Sequence, residues 1–236
     1  MRSAVAAYAA EQARGLAALG VNLNFAPVVD LNFNVRNPND SFTHIAERAI
    51  AADAGTVSDV AGWYCEGLMA HGVRCTLKHF PGLGRVFDDT HRRDATLNAS
   101  PQELANADWI PFRRLLGHAD SFVMVGHVRL KTLDATQPAS TSASIVNGLL
   151  RGEWGYSGIV ITDDLCMGAI DSSLGGIAGA SKRALNAGVD LLLLSWDGDQ
   201  IYPVLASLLP ATDLEKDWLQ QSDRRLHTAQ AKLIGK

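Results

Sequence analysis

Residues 70–80 read AHGVRCTLKHF: a helix end at Gly72, then at once an apolar run that finishes in a cation and an imidazole. Glycine just past a helix adopts the left-handed C-cap conformation without a steric cost. The apolar run after it reads as a strand buried on both faces, as parallel strands are. The same unit recurs in ALGVNLNFAPVVD (18–30) and NAGVDLLLLSW (186–196). SFVMVGHV (121–128) and SGIVITDDL (157–165) add two further runs. Strands are therefore expected at 21–29, 73–79, 121–127, 158–162 and 190–195. Helical patterns fill the intervals. Val57, Ala61, Tyr64 and Leu68 recur at helical spacing, and Ile177, Ala180, Ala184 and Leu185 share a face. Ser100-Pro101-Gln102-Glu103 has the form of a capping box with proline at the first helical position. Alternating helices and strands imply a parallel α/β sheet, open or barrel.

Polar residues choose between the two. Asp30, Lys78, His79, His127 and Asp163 all fall at or just past the C-terminal ends of expected strands. Chemistry at nearly every strand end favours a (β/α)8 TIM-type barrel, whose site gathers residues from all its loops. No G-x-G-x-x-G follows the first strand, which weakens a dinucleotide reading.

Composition narrows the rest. The 236 residues are 47% hydrophobic and 19% charged, with a formal net charge of -4. That is a globular composition with no polyanion-binding character, so nucleic acid is not the expected partner. No apolar run approaches the length of a membrane span or a signal peptide, and a soluble, cytoplasmic protein is expected. Cys65, Cys75 and Cys166 form no C-x-x-C pair and read as buried thiols of a reducing compartment, not as a disulfide frame or a zinc site. No linker or low-complexity stretch divides the chain, and residues 1–236 read as one domain.

Three strings carry chemistry. In KHFPG (78–82), Lys78 and His79 are readable as donors to sugar hydroxyls, or equally as an ion-paired lysine and a satisfied core histidine. In TDDLCM (162–167), alternation along the strand lets only one of Asp163 and Asp164 face the interior; the other must cap a helix or bind backbone. In RVFDDTHRRD (85–94), Asp89 and His91 stand two apart in a polar loop. A carboxylate–imidazole bond there would fix the tautomer and raise basicity, as a general acid/base needs. A solvated charged loop is the plainer alternative. A metal-dependent hydrolase using His79, His127 and Asp163 ranks last, because no H-x-H is present.

Taken together and in order, NFAPVVD, Asn37-Pro38, Glu47-Arg48, KHFPGLG, D-T-H, GHV, GIVITDDLCM and AGVDLLLLS resemble the bacterial β-N-acetylglucosaminidases of glycoside hydrolase family 3. The resemblance runs from about Val21 to the C-terminus. It implies a retaining hydrolysis without cofactor or metal, in which Asp163 attacks the anomeric carbon and His91, partnered by Asp89, serves as acid/base. It further implies that Lys78, His79 and Arg48 hold the N-acetylhexosamine, and that the loop at 83–94 moves to close over substrate. The implied ligand is a small amino-sugar glycoside or muropeptide such as N-acetylglucosamine linked to anhydro-muramic acid. A phosphorylase is a narrower variant of the same reading.

The pattern is departed from at Leu83, where the family has histidine in KHFPGHG, at Ala49-Ile50 in place of the Ser-Phe of E-R-S-F, and at Cys166. A larger departure is that the eight-stranded barrel of the family is represented here by about its last five β/α units, with no D-Q-E-G-G segment. An incomplete barrel exposes two strand edges and an apolar interior. The sequence thus carries a second expectation: a binding or assembly remnant with impaired catalysis, self-associating through its open edge.

Overall fold

The computed structural model describes residues 1–170 and 175–234. Helix α1 (Arg2–Ala18) packs on α3 (Ala54–Met69), with the short α2 (Ile45–Arg48) between them in sequence. Strand β1 (Thr76–Phe80) follows, then β2 (Ala95–Leu97), α4 (Pro101–Ala105), α5 (Trp109–Leu115), β3 (Phe122–Val125) and β4 (Val128–Leu130). A π-wound helix over Ser144–Glu153 leads to β5 (Val160–Asp164). The chain ends with α6 (Gly176–Asn186), β6 (Leu191–Leu193), α7 (Ile201–Leu208) and α8 (Lys216–Ile234). The expected capping box holds α4: Ser100 Oγ accepts from the Glu103 amide at 3.2 Å, and Glu103 accepts from the Ser100 amide at 2.8 Å.

Four strands form one parallel sheet in the order β1-β3-β5-β6, with Thr76 opposite Phe122, Val123 opposite Val160 and Ile161 opposite Leu191. The strand expected at 21–29 lies beside β1 in the expected parallel sense, but only through isolated bridges, Leu23 to Arg74 and Val28 to Lys78. Pro27 explains the shortfall: it has no N–H to donate, so a continuous ladder cannot form through it. The architecture is α/β of the (β/α)8-barrel type, incomplete, with about five β/α units and no closed barrel among the described residues. A further parallel pair, β2 with β4, was not foreseen from the sequence; Ala95 stands opposite Val128.

Two expectations need correction. Cys65 and Cys75 are joined in a disulfide, with Cα atoms 5.4 Å apart. The turn at Gly72, which has a φ of +84°, reverses the chain and lays the start of the next strand back along the end of α3. Two of the three cysteines are thus not free thiols, and they no longer point to a reducing compartment. The open apolar interior is also partly covered. Helix α8 crosses the N-terminal ends of the strands, where Arg225 pairs with Asp190 at 2.8 Å and Lys232 with Asp120 at 2.7 Å. Leu226 and Leu233 of α8 line a cavity of about 350 Å³ together with Leu23 at one sheet edge and Leu191 at the other.

Candidate active site

The C-terminal end of the sheet gathers the polar residues. Successive residues of β5 point to opposite faces, and this separates the two aspartates. Asp164 is buried and fully engaged. Its Oδ2 accepts from the Ser195 hydroxyl at 2.5 Å, the Trp196 amide at 2.7 Å and the Ser195 amide at 3.1 Å, while Oδ1 accepts from the Cys166 amide at 2.9 Å. Asp163 has one hydrogen bond among the described residues, from the amide of Asp164 at 2.9 Å. Burial raises its carboxyl pKa, but His79, His127, the Asp164 amide and Lys78 outweigh burial, so it lies below the ordinary carboxylate value and stays ionised.

Around Asp163 stand the residues of KHFPG. Asp30, buried at the end of the first extended segment, accepts from the amide and ring Nδ1 of His79 at 3.1 and 2.7 Å, and from the Leu83 amide at 2.6 Å. The carboxylate fixes the proton of His79 on Nδ1, leaving Nε2 without a protein hydrogen bond among the described residues. The ammonium of Lys78 makes no protein hydrogen bond among those residues. Burial and the nearby Arg48 lower its pKa, opposed by Asp163 and Asp30. His127 is buried between Ser140 Oγ at 2.8 Å and the carbonyl of Asp164 at 2.9 Å. The carbonyl demands a proton on Nε2, so Nδ1 accepts from the serine hydroxyl. Both ring nitrogens are occupied, and His127 is not available as a metal ligand.

The loop after β1 supplies the second group. His91 Nδ1 lies 3.0 Å from Asp89 Oδ1 and 3.3 Å from Thr43 Oγ1. Thr43 spends its hydroxyl proton on Asp89 at 2.8 Å, so its oxygen faces the imidazole as an acceptor. Nδ1 therefore carries a proton, and Nε2 is left without a protein hydrogen bond among the described residues. Burial raises the pKa of Asp89; the hydroxyl of Thr43, the amides of His91 and Ser41, and the His91 ring more than reverse this. Arg48 Nη1 donates to the carbonyl of Thr43 at 2.8 Å, which ties it to the same loop pair.

The loop at 83–94, expected to be free to move, is docked. The Gly168 amide donates to His91 O at 2.8 Å and the Ala169 amide to Thr90 O at 3.2 Å. The contact needs a glycine: a Cβ on Gly168 would sit 2.6 Å from Arg92 O and 2.9 Å from His91 O. All six residues singled out in the sequence are thus at this end of the sheet. Asp163, Lys78 and His79 form one group, and Asp89 and His91 another, with Arg48 bonded to Thr43 and close enough to Lys78 to affect its charge. Sequence reasoning missed Thr43, Ser140 and the anchoring of Trp196, because isolated hydroxyls and a lone tryptophan carry no spacing signal.

Residues 2–229 match the glycosyl hydrolase family 3 N-terminal domain. The chain is 39% identical over 190 residues to the beta-hexosaminidase LpqI of Mycobacterium tuberculosis, covering 78% of this chain and 47% of that protein. It is 37% identical over 177 residues to a beta-hexosaminidase of Xylella fastidiosa, covering 75% of this chain and 50% of the relative. It therefore spans about half the length of these curated relatives. Among solved structures, a family 3 β-N-acetylglucosaminidase from Paenibacillus sp. superimposes with a TM-score of 0.90 at 32% identity, over 99% of this chain and 44% of that one. The solved LpqI of M. tuberculosis gives a TM-score of 0.85 at 35% identity, over 97% of this chain and 66% of that one. Sequence match and fold agree, and the chain belongs to glycosyl hydrolase family 3.

Proposed function

We propose that this chain carries the catalytic centre of a retaining β-N-acetylhexosaminidase, within a single partial barrel domain spanning residues 1–236. The observation that carries the reading is the division of labour at β5. Asp164 is saturated by four donors, whereas Asp163 is ionised, half-buried and free to approach a ligand beside Lys78 and His79. Asp163 attacks the anomeric carbon and forms a glycosyl-enzyme. His91, protonated at Nε2, gives that proton to the departing oxygen; the neutral imidazole then takes a proton from the water that releases the sugar. Asp89 stabilises the imidazolium form. Lys78, His79 and Arg48 hold the hydroxyl and acetamido groups. The substrate class is a terminal β-linked N-acetylglucosamine, of which peptidoglycan fragments carrying anhydro-muramic acid are the proposed source; names of the relatives support the first part of that statement.

The test uses an aryl N-acetyl-β-glucosaminide. Asp163→Ala abolishes turnover, and added azide restores it with an inverted glycosyl azide as product. Rescue without that product, or full turnover by the variant, overturns the assignment.

A second reading is favoured by one observation. Ile201, Tyr202, Leu205 and Leu209 expose apolar surface on and just after α7, the helix that follows the edge strand β6 in the chain. We infer that the isolated chain self-associates through this edge and turns over slowly. Light scattering alongside the assay decides it: a monodisperse monomer with full turnover contradicts this second reading.

A further inference from the structure

Trp196 is 74% exposed, yet its backbone is tightly held. Its amide shares Asp164 Oδ2 with the amide and hydroxyl of Ser195. Asp164 follows Asp163 on β5, so this cluster sets the root of the indole relative to Asp163. The indole stands edge-on to Phe42, with centroids 6.0 Å apart and planes at 84°. Phe42, itself 43% exposed, lies 5.5 Å from the ring of His91. Loops after the first extended segment, after β1 and after β6 thus contribute one contiguous wall: His91, Phe42, Trp196.

Leaving aromatic surface in water forfeits about 25 cal/mol for each Å² not buried. The edge contact with Phe42 covers little of the indole, so packing of the fold does not account for its position. Chemistry does. The proton that His91 delivers goes to the oxygen of the departing group, so that group passes beside His91 and onto the wall next to it. A pyranose presents a face of C–H groups that lies well on an aromatic plane, and the indole N–H can meet a hydroxyl at its rim.

We propose that Trp196 and Phe42 form the leaving-group subsite and take a pyranose ring joined through the oxygen that His91 protonates. The proposal rests on the roles given above to Asp163 and His91.

Titration calorimetry tests it, using the full chain carrying Asp163→Asn so that nothing is cleaved. The probes are N-acetylglucosamine and the disaccharide of two β-1,4-linked N-acetylglucosamines. The disaccharide is expected to bind about tenfold more tightly than the monosaccharide. Adding Trp196→Ala removes that advantage, and Trp196→Phe retains most of it, with the monosaccharide shifting less than about twofold in either case. No advantage for the disaccharide, or an advantage that survives Trp196→Ala, overturns the subsite and leaves the reading of the Asp163 site standing. Binding of neither sugar overturns both.

Discussion

The hydroxyl of Thr43 donates to Asp89 Oδ1 over 2.8 Å, and the pair is buried beneath the imidazole of His91. Because the same threonine offers its backbone carbonyl to Arg48, a residue proposed to hold the sugar is linked through one residue to the proposed proton donor. Thr43→Val is expected to lower kcat by about tenfold, the scale of one lost hydrogen bond to a charged group. Thr43→Ser restores it. Leaving-group dependence separates positioning from packing: Thr43→Val hurts substrates with poor leaving groups more than aryl glycosides with good ones, because the pair beneath His91 loses a hydrogen bond. Equal damage from Val and Ser, or equal losses on both substrate classes, contradicts the link.

Gly168 sets how closely the loop carrying His91 approaches the end of β5. Gly168→Ala places a methyl within 3 Å of two carbonyl oxygens of that loop. The loop must withdraw, so kcat for substrates with poor leaving groups falls at least about tenfold while the fold survives. Aryl glycosides with good leaving groups lose less, since they need little protonation. Equal losses on both classes would show that the contact does not position the proton donor.

His127 makes stability depend on pH. Burial holds its imidazole below the ordinary histidine value, against the opposite pull of Asp163, the Asp164 carbonyl and the Asp164 carboxylate. Below about pH 6.5 the unfolded chain therefore takes up a proton that the folded chain resists, and stability falls as the pH drops from there toward the folded value. His127→Gln preserves a donor to the Asp164 carbonyl without titrating in this range. Denaturant unfolding at about pH 7.5 and pH 5.5 measures the effect. The variant is expected to lose less stability between the two; an unchanged difference contradicts the assignment.

The Cys65–Cys75 bond closes a short loop, with a sequence separation of 10 residues. Loop-closure entropy for that length gives about 2–3 kcal/mol of stabilisation. Cys65→Ser, or reduction of the native chain, should lower the unfolding midpoint accordingly, and alkylation under non-reducing conditions should modify Cys166 alone. Labelling of all three cysteines without a reductant contradicts the bond.

The helix, glycine, strand repeat made the sheet order legible, because buried parallel strands are written as apolar runs and their helices as 3.6-residue patterns. The first strand was overcalled, since the missing N–H of Pro27 acts on pairing and not on hydropathy. The β2–β4 pair was invisible: three residues each, Ala95–Leu97 and Val128–Leu130, hold too little periodicity to stand out. The disulfide was misread because ten-residue spacing carries no motif; only the reversal at Gly72 brings the sulfurs together. At the site, the alternation rule required Asp163 and Asp164 to point apart without saying which faces Lys78 and His79, and the D-x-H spacing joined Asp89 to His91. The supports from Thr43, Ser140 and Asp30 arise from tertiary approach across 13 to 49 residues, which no local pattern encodes.

The proposed reaction depends most on Asp163 being the attacking carboxylate. A 5-fluoro N-acetylglucosaminyl fluoride forms its glycosyl-enzyme faster than it is released, so the chain is incubated with it and digested, and the adduct is located by mass spectrometry. One added sugar is expected, on Asp163, and none on a chain carrying Asp163→Asn. A sugar found on Asp164, or an unmodified protein that continues to turn over aryl N-acetyl-β-glucosaminide, would contradict it.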